Sequence, residues 1–214
     1  MTLIPELQKD LSLSENAISA WKFTEEFIYL CSLNLAIVIT HISLDKRPRC
    51  LYYFFLTFGV KAFAAILKLR FHQPRPVWEN SDIEALSCSE RYGNPSGHSI
   101  AATAVVFGVW LDFNERVQEN PDNLLRPWYW RLLFLIAALA IPCFVGYSML
   151  VFGNHSLDQV LFSSMLGAWF ALTTHFLLRV FLIKLAKDLI TVTETRLMRI
   201  ALVATGLHLI IIGI

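Results

Sequence analysis

Apolar and polar positions along the 214 residues fall into long blocks rather than short alternations. A polar stretch over 1–23 is followed by six apolar segments, near 24–44, 51–69, 98–114, 129–149, 157–182 and 197–214. All but the third approach the roughly 20 residues that a helix needs to cross a hydrocarbon core. The third reaches that length only if Asp112 and Glu115 sit among lipid headgroups. The pattern predicts an all-α fold, an integral membrane bundle of six transmembrane helices over 24–214, with short N-terminal surface helices in 1–23. The runs Pro5–Leu13 and Ser14–Ile18 suit one or two such helices. No basic start leads directly into a short apolar core with a cleavage site, so 1–23 is not expected to be a signal peptide. The last segment reaches Ile214 without a polar flank, which leaves room for further chain or for a covering partner.

Alternating passage fixes which loops share a face. If the second segment ends at Lys68 on one side, loop 70–97 lies there, loop 115–128 lies opposite, and the fourth segment returns to the first side at Tyr147. That opposite side carries eleven basic residues: Lys46, Arg47, Arg49, Arg116, Arg126, Arg131, Arg179, Lys184, Lys187, Arg196 and Arg199. The motif side carries six: Lys9, Lys22, Lys68, Arg70, Arg75 and Arg91. The positive-inside bias then makes the motif face and the N-terminus lumenal or exoplasmic.

Composition agrees with a membrane chain: 56% apolar residues, 16% charged, mean hydropathy +0.53. Trp78, Trp110, Trp128 and Trp130 fall near segment ends, where amphipathic rings settle. A net charge of +1 gives no electrostatic reason to expect nucleic acid. Cys31, Cys50, Cys88 and Cys143 lack metal-ligand spacing and are expected as small buried hydrophobes, so no metal or other cofactor is called for.

Three polar motifs carry the candidate chemistry, and all fall on one face. In the first, Pro74 and Pro76 stiffen the chain around Arg75, whose planar fork suits paired phosphate oxygens, while Lys68 offers a point charge. Lipid headgroup binding is the competing reading for both, and the expected one for Arg70. In the second, Asn94–Ser99 opens a helix whose unpaired N–H groups, with Ser96 and Gly97, suit an anion; Ser96 also suits a plain N-cap. His98 in this motif and His155 in the third supply two imidazoles, enough for a nucleophile and a proton donor. Asp158 and Gln159 follow His155 at i+3 and i+4, so either could hold its far ring nitrogen. Lys61, mid-segment, is expected to face the bundle interior or snorkel, and has a structural and a functional reading. His72 is expected at the surface, and His41, His175 and His208 in packing or interface positions.

The series Lys68-x6-Arg75-Pro76, Pro95-Ser96-Gly97-His98 and Ser148-x6-His155-x3-Gln159 resembles the three-part signature of the type 2 phosphatidic acid phosphatase (PAP2) superfamily. The resemblance covers about residues 50–175. It implies an antiparallel six-helix core with a phosphatase site at one membrane face and no metal. His155 would be the nucleophile that forms phosphohistidine and His98 the general acid. Lys68, Arg75, Ser96 and Gly97 would cradle the phosphoryl group, with Gln159, Asp158 and Ser148 in support. Two departures stand out. Met149 occupies the place of a family arginine and can offer neither charge nor hydrogen bond. Gln159 stands where most members carry aspartate, as in the glucose-6-phosphatase-like branch.

Two functions follow. The first is a phosphatase acting on a lipid phosphate, a lipid diphosphate or a small phosphate monoester, with Met149 arguing for impaired activity unless Arg91 or Arg70 stands in. The second is a non-catalytic structural or lipid-binding subunit of a larger membrane complex that keeps the fold. Membrane lipids are expected partners in both, and the endoplasmic reticulum and mitochondrial inner membrane both suit the localisation. A transporter has little support, since broken-helix pairs and inverted repeats are absent from the sequence.

Overall fold

The computed structural model describes residues 3–11, 14–42, 47–84, 86, 91–119, 128–192, 203, 206 and 207. Helix α1 spans Leu3–Leu11, α2 Glu15–Ile42, α3 Arg47–Phe71, α4 Pro76–Glu79, α5 Gly97–Glu119, α6 Trp128–Val151, α7 Leu157–Thr173 and α8 Arg179–Val192. A π-helical turn, Thr174–Leu178, joins the last two. Among the described residues there is no strand. The stretches Pro48–Glu79, Trp128–Val151 and Leu157–Leu189 are each long and apolar enough to cross a membrane. The predicted sixth segment lies outside the described residues apart from 203, 206 and 207.

Helix α5 is the axis of the bundle because its inward face is small. Ile100, Ala101, Ala102 and Ala104 are fully buried, and small residues let helix backbones approach closely. A Cβ on Gly167 of α7 would lie 2.5 Å from the Ile100 carbonyl, and one on Gly108 would lie 2.4 Å from Leu56 Cδ2 of α3. The glycines therefore seat α5 between α3 and α7. Large apolar side chains such as Leu139, Met165, Trp169, Phe176 and Phe181 point outward, as expected where lipid replaces water around the bundle.

Several expectations are corrected. Helix α2 begins at Glu15 and runs unbroken through residue 23, so the second surface helix is only its first turns. Helix α5 continues to Glu119, which lengthens the short third segment to 23 residues. Asp112 is fully buried within the bundle. Its carboxylate meets Arg49 at 2.7 Å, Arg179 at 2.9 Å, Arg116 at 3.1 Å and the Tyr53 hydroxyl at 2.5 Å, since a charge inside a bundle needs close partners. His175 joins this network through Glu115 at 3.1 Å and Tyr52 at 3.3 Å. Cys31 and Cys143 are exposed and Cys50 is partly so, because an apolar outer face also accepts a thiol; Cys88 lies outside the described residues, as do His208 and the side chain of His41.

Helix α1 closes the motif face. Leu7, Leu11 and Trp21 pack on a cluster of Met149, Leu150, Val151, Phe152 and Val160. Gln8 donates to the carbonyls of Glu84 at 3.0 Å and Val151 at 2.9 Å, and accepts from the Glu84 N–H at 3.1 Å. One amide thus ties the N-terminal helix to the loop at Glu84 and to the end of α6.

Candidate active site

The C-terminal turns of α3 and the Pro74–Pro76 bend aim the two motif cations at neighbouring carbonyls. Arg75 is extended, buried, and donates through Nε to the Arg91 carbonyl at 2.7 Å and through Nη1 to that of Asn154 at 3.2 Å. Lys68 donates to the Tyr92 carbonyl at 2.9 Å. The first motif therefore holds residues 91–92 and the residue preceding His155. Between them Gly93 donates to Gln73 at 2.8 Å, in a position where any Cβ would lie 2.7 Å from the Pro74 carbonyl and 2.8 Å from Gln159 Oε1.

Ser96 is fully buried and starts α5 as its cap, accepting from the Ser99 N–H at 3.4 Å. Its own N–H is donated to Ser163 at 2.6 Å and is not offered to an anion, which corrects that part of its expected role. The next residue is different. A Cβ on Gly97 would meet nothing within 4 Å, so open space lies directly against the first-turn backbone of a 23-residue helix, where N–H groups and the helix dipole favour negative charge.

His155 follows a tight reversal. After α6, Gly153 adopts a left-handed φ of +70° that only glycine takes without strain, and the His155 N–H returns to the Met149 carbonyl at 3.3 Å. The ring is buried, at 2% exposure. Burial first, then the charges of Arg75, Lys68 and His98, hold its pKa well below the usual 6.5, against a smaller upward pull from the Gly93 backbone. His98, on the first turn of α5, packs against Tyr29 of α2 with ring centroids 4.5 Å apart. The charges of Arg75, Lys68 and His98 all bear on His155, so the two imidazoles and the two motif cations lie near one another.

The supporting residues are placed otherwise than expected. Gln159 does not hold the far nitrogen of His155; it donates to the Pro74 carbonyl at 3.0 Å and accepts from the Ser156 N–H at 3.3 Å, capping α7. Asp158 is exposed on the outside of that turn. His155 Nδ1 has no hydrogen-bond partner of good geometry among the described residues. Ser148 accepts from the Trp21 indole at 2.8 Å and donates to the Phe144 carbonyl at 2.9 Å, linking α2 to α6 instead of reaching the site. Met149, 3% exposed, turns into the apolar cluster under α1. His72 is exposed, its ring edge against Tyr92. Arg70 and Arg91 are also exposed, and Arg91 is tied to the first motif through its carbonyl, which accepts from Arg75. The sequence reading missed Tyr29 entirely. Its one signal was a polar-tipped ring within an apolar segment, which also describes interfacial aromatics.

Comparison with known proteins fits this geometry. The family model described as PAP2 superfamily matches residues 49–182. None of the curated proteins matches. Among solved structures, the crystal structure of the first transmembrane PAP2 type phosphatidylglycerolphosphate phosphatase from Bacillus subtilis is similar, with a TM-score of 0.58 at 18% identity over 81% of this chain and 83% of that one.

Proposed function

Because the chain belongs to the PAP2 superfamily, we propose that it is a membrane phosphatase that acts on a lipid phosphate, a lipid diphosphate or a small phosphate monoester through a phosphohistidine. The observation that carries this reading is the buried His155 beside His98, under the charges of Arg75 and Lys68, together with the open space against Gly97.

The chemistry follows from the groups present. Nδ1 of His155 is shut in, which leaves Nε2 to form the bond to phosphorus while the bond to the leaving oxygen breaks. For an alcohol leaving group, His98 supplies the proton that this oxygen takes up. Water then attacks the phosphorus, giving a proton to His98, and the phosphorus–nitrogen bond breaks with its electron pair returned to Nε2, so that phosphate leaves and His155 is restored. Lys68, Arg75 and the first-turn backbone at Gly97 face the charge that develops on the phosphoryl oxygens. Arg91 is the cation suited to the place that Met149 leaves neutral; Arg70 is not. Loss of one such donor costs about 3 kcal/mol in the transition state, or on the order of a hundredfold in rate. The bundle would cross the membrane six times, with the motif face lumenal or exoplasmic.

The test is release of inorganic phosphate from lipid monophosphates and diphosphates by the full chain in vesicles. Release no greater than that of His155→Ala on every substrate rejects the proposal. One observation favours a second reading, a structural or lipid-binding subunit: Met149 is packed as a core residue. That reading expects no turnover, and recovery of the chain in a larger membrane assembly.

A further inference from the structure

Three side chains outside the phosphoryl cradle line up on three helices: Tyr29 of α2, Lys61 of α3 and His98 of α5. The ammonium of Lys61 lies 5.1 Å from the centroid of the Tyr29 ring. The same ring, 3% exposed, packs against His98 with centroids 4.5 Å apart and planes tilted by 54°. One aromatic ring therefore fixes a cation and the proposed proton donor relative to each other.

The position of Lys61 along α3 gives it a direction. It precedes Lys68 by seven residues, which puts it on the same helix face and about 10 Å further into the bundle. The cradle at Lys68, Arg75 and Gly97 takes the transferred group; His98 marks the side on which the leaving group departs. Lys61 lies on that side. Among the described residues no carboxylate forms an ion pair with it. Glu25, buried one turn before Tyr29 on α2, is the nearest acid to that ring, but an ammonium drawn into an apolar bundle without a direct ion pair is costly, and an aromatic face only partly offsets that cost. An anionic leaving group would complete the pairing; a neutral alcohol would not.

Resting on the phosphatase reading, we propose that Lys61, held by Tyr29, is the leaving-group cation of this site and makes the protein favour diphosphates over monophosphates. With a diphosphate, His155 bonds to the terminal phosphorus and the bond from that phosphorus to the bridging oxygen breaks. The electron pair stays on the bridging oxygen, now part of a monophosphate product whose added charge is met by Lys61. No proton from His98 is needed for that departure, so His98 enters this route neutral and takes the proton of the water that later releases phosphate from His155. With a monophosphate the leaving oxygen is a basic alkoxide and takes the proton of His98.

The experiment compares a prenyl diphosphate with the prenyl monophosphate of the same chain length, using the full chain in vesicles. Lys61→Met is expected to lower the ratio of kcat/KM, diphosphate over monophosphate, by about 30-fold, and Lys61→Arg to keep most of it. His98→Ala is expected to raise the ratio, because only the alkoxide depends on its proton. A second measurement needs no variant: inorganic pyrophosphate is expected to inhibit monophosphate hydrolysis by the natural chain roughly tenfold more strongly than phosphate does. Release above the His155→Ala background with a ratio unmoved by Lys61→Met, or equal inhibition by the two anions, overturns the role of Lys61 and leaves the phosphatase reading standing. Release absent on both substrates overturns both.

Discussion

Arg75 donates to the carbonyl of Asn154 at 3.2 Å, so the arginine of the first motif holds the residue next to the proposed nucleophile of the third. A lysine at position 75 keeps the charge but has no planar fork with which to reach the carbonyls of Arg91 and Asn154 while facing a phosphoryl group. Arg75→Lys is therefore expected to reduce kcat/KM by about a hundredfold, mostly through kcat. It should also lower stability by about 1 kcal/mol for the lost carbonyl contacts. Steady-state kinetics and thermal unfolding of the same preparation separate the two effects.

Gly97 offers a cleaner separation of folding from chemistry. A methyl group there meets no atom within 4 Å, and alanine is at least as good a helix former as glycine. Gly97→Ala should unfold at or slightly above the temperature of the natural chain. The methyl would nonetheless stand in the space assigned to the phosphoryl oxygens, so inhibition by inorganic phosphate should weaken about tenfold or more. Unaltered inhibition would move the anion away from the start of α5.

The pH dependence follows from the environment of His155. Its pKa lies well below 6.5, first because it is buried and then because Arg75, Lys68 and His98 are close. A nucleophilic imidazole must be neutral, so activity should persist as pH falls through 6.5 and fail only at a lower pH. Lys68→Met removes one of the positive charges and should move that acid limb upward, whatever it does to the maximal rate. Stability follows the same sign. Below pH 6.5 the unfolded chain takes up a proton on His155 that the folded chain refuses, so the folded state weakens as pH falls, by up to about 1.4 kcal/mol per unit until the folded pKa is reached. A pH–rate profile and unfolding measured across the same range check both.

Met149→Arg would restore the family pattern in the sequence but not in space. The side chain at 149 packs with Leu150, Val151, Phe152 and Val160 beneath α1, where a guanidinium would replace apolar contacts with a buried charge. The substitution is expected to cost about 3 kcal/mol or more of stability and to give no gain in phosphate release. Higher activity in this variant would mean that the residue turns toward the site.

How much of this was legible beforehand depended on whether a feature is local. Lys68, Arg75, His98 and His155 can be grouped from the sequence because each lies at or near a segment end, and the ends of spanning segments alternate between two faces. Gln159 was misassigned for a related reason. Its spacing of four from His155 holds along a continuous helix, but α7 starts only at Leu157, and the side chain is drawn to Pro74 instead.

The sequence by itself determined the helices, the shared face and the residue types gathered there, since apolar runs of span length and the demand for satisfied backbone groups leave little else for such a chain to do. The tertiary structure decided which neighbour each polar side chain meets. Met149 turned into the cluster under α1, Asp112 inward to three arginines, and Lys61 toward Tyr29 and His98. Those choices depend on how close two helices come, and that distance was set by Gly108 and Gly167, whose effect is exerted on residues remote in the chain.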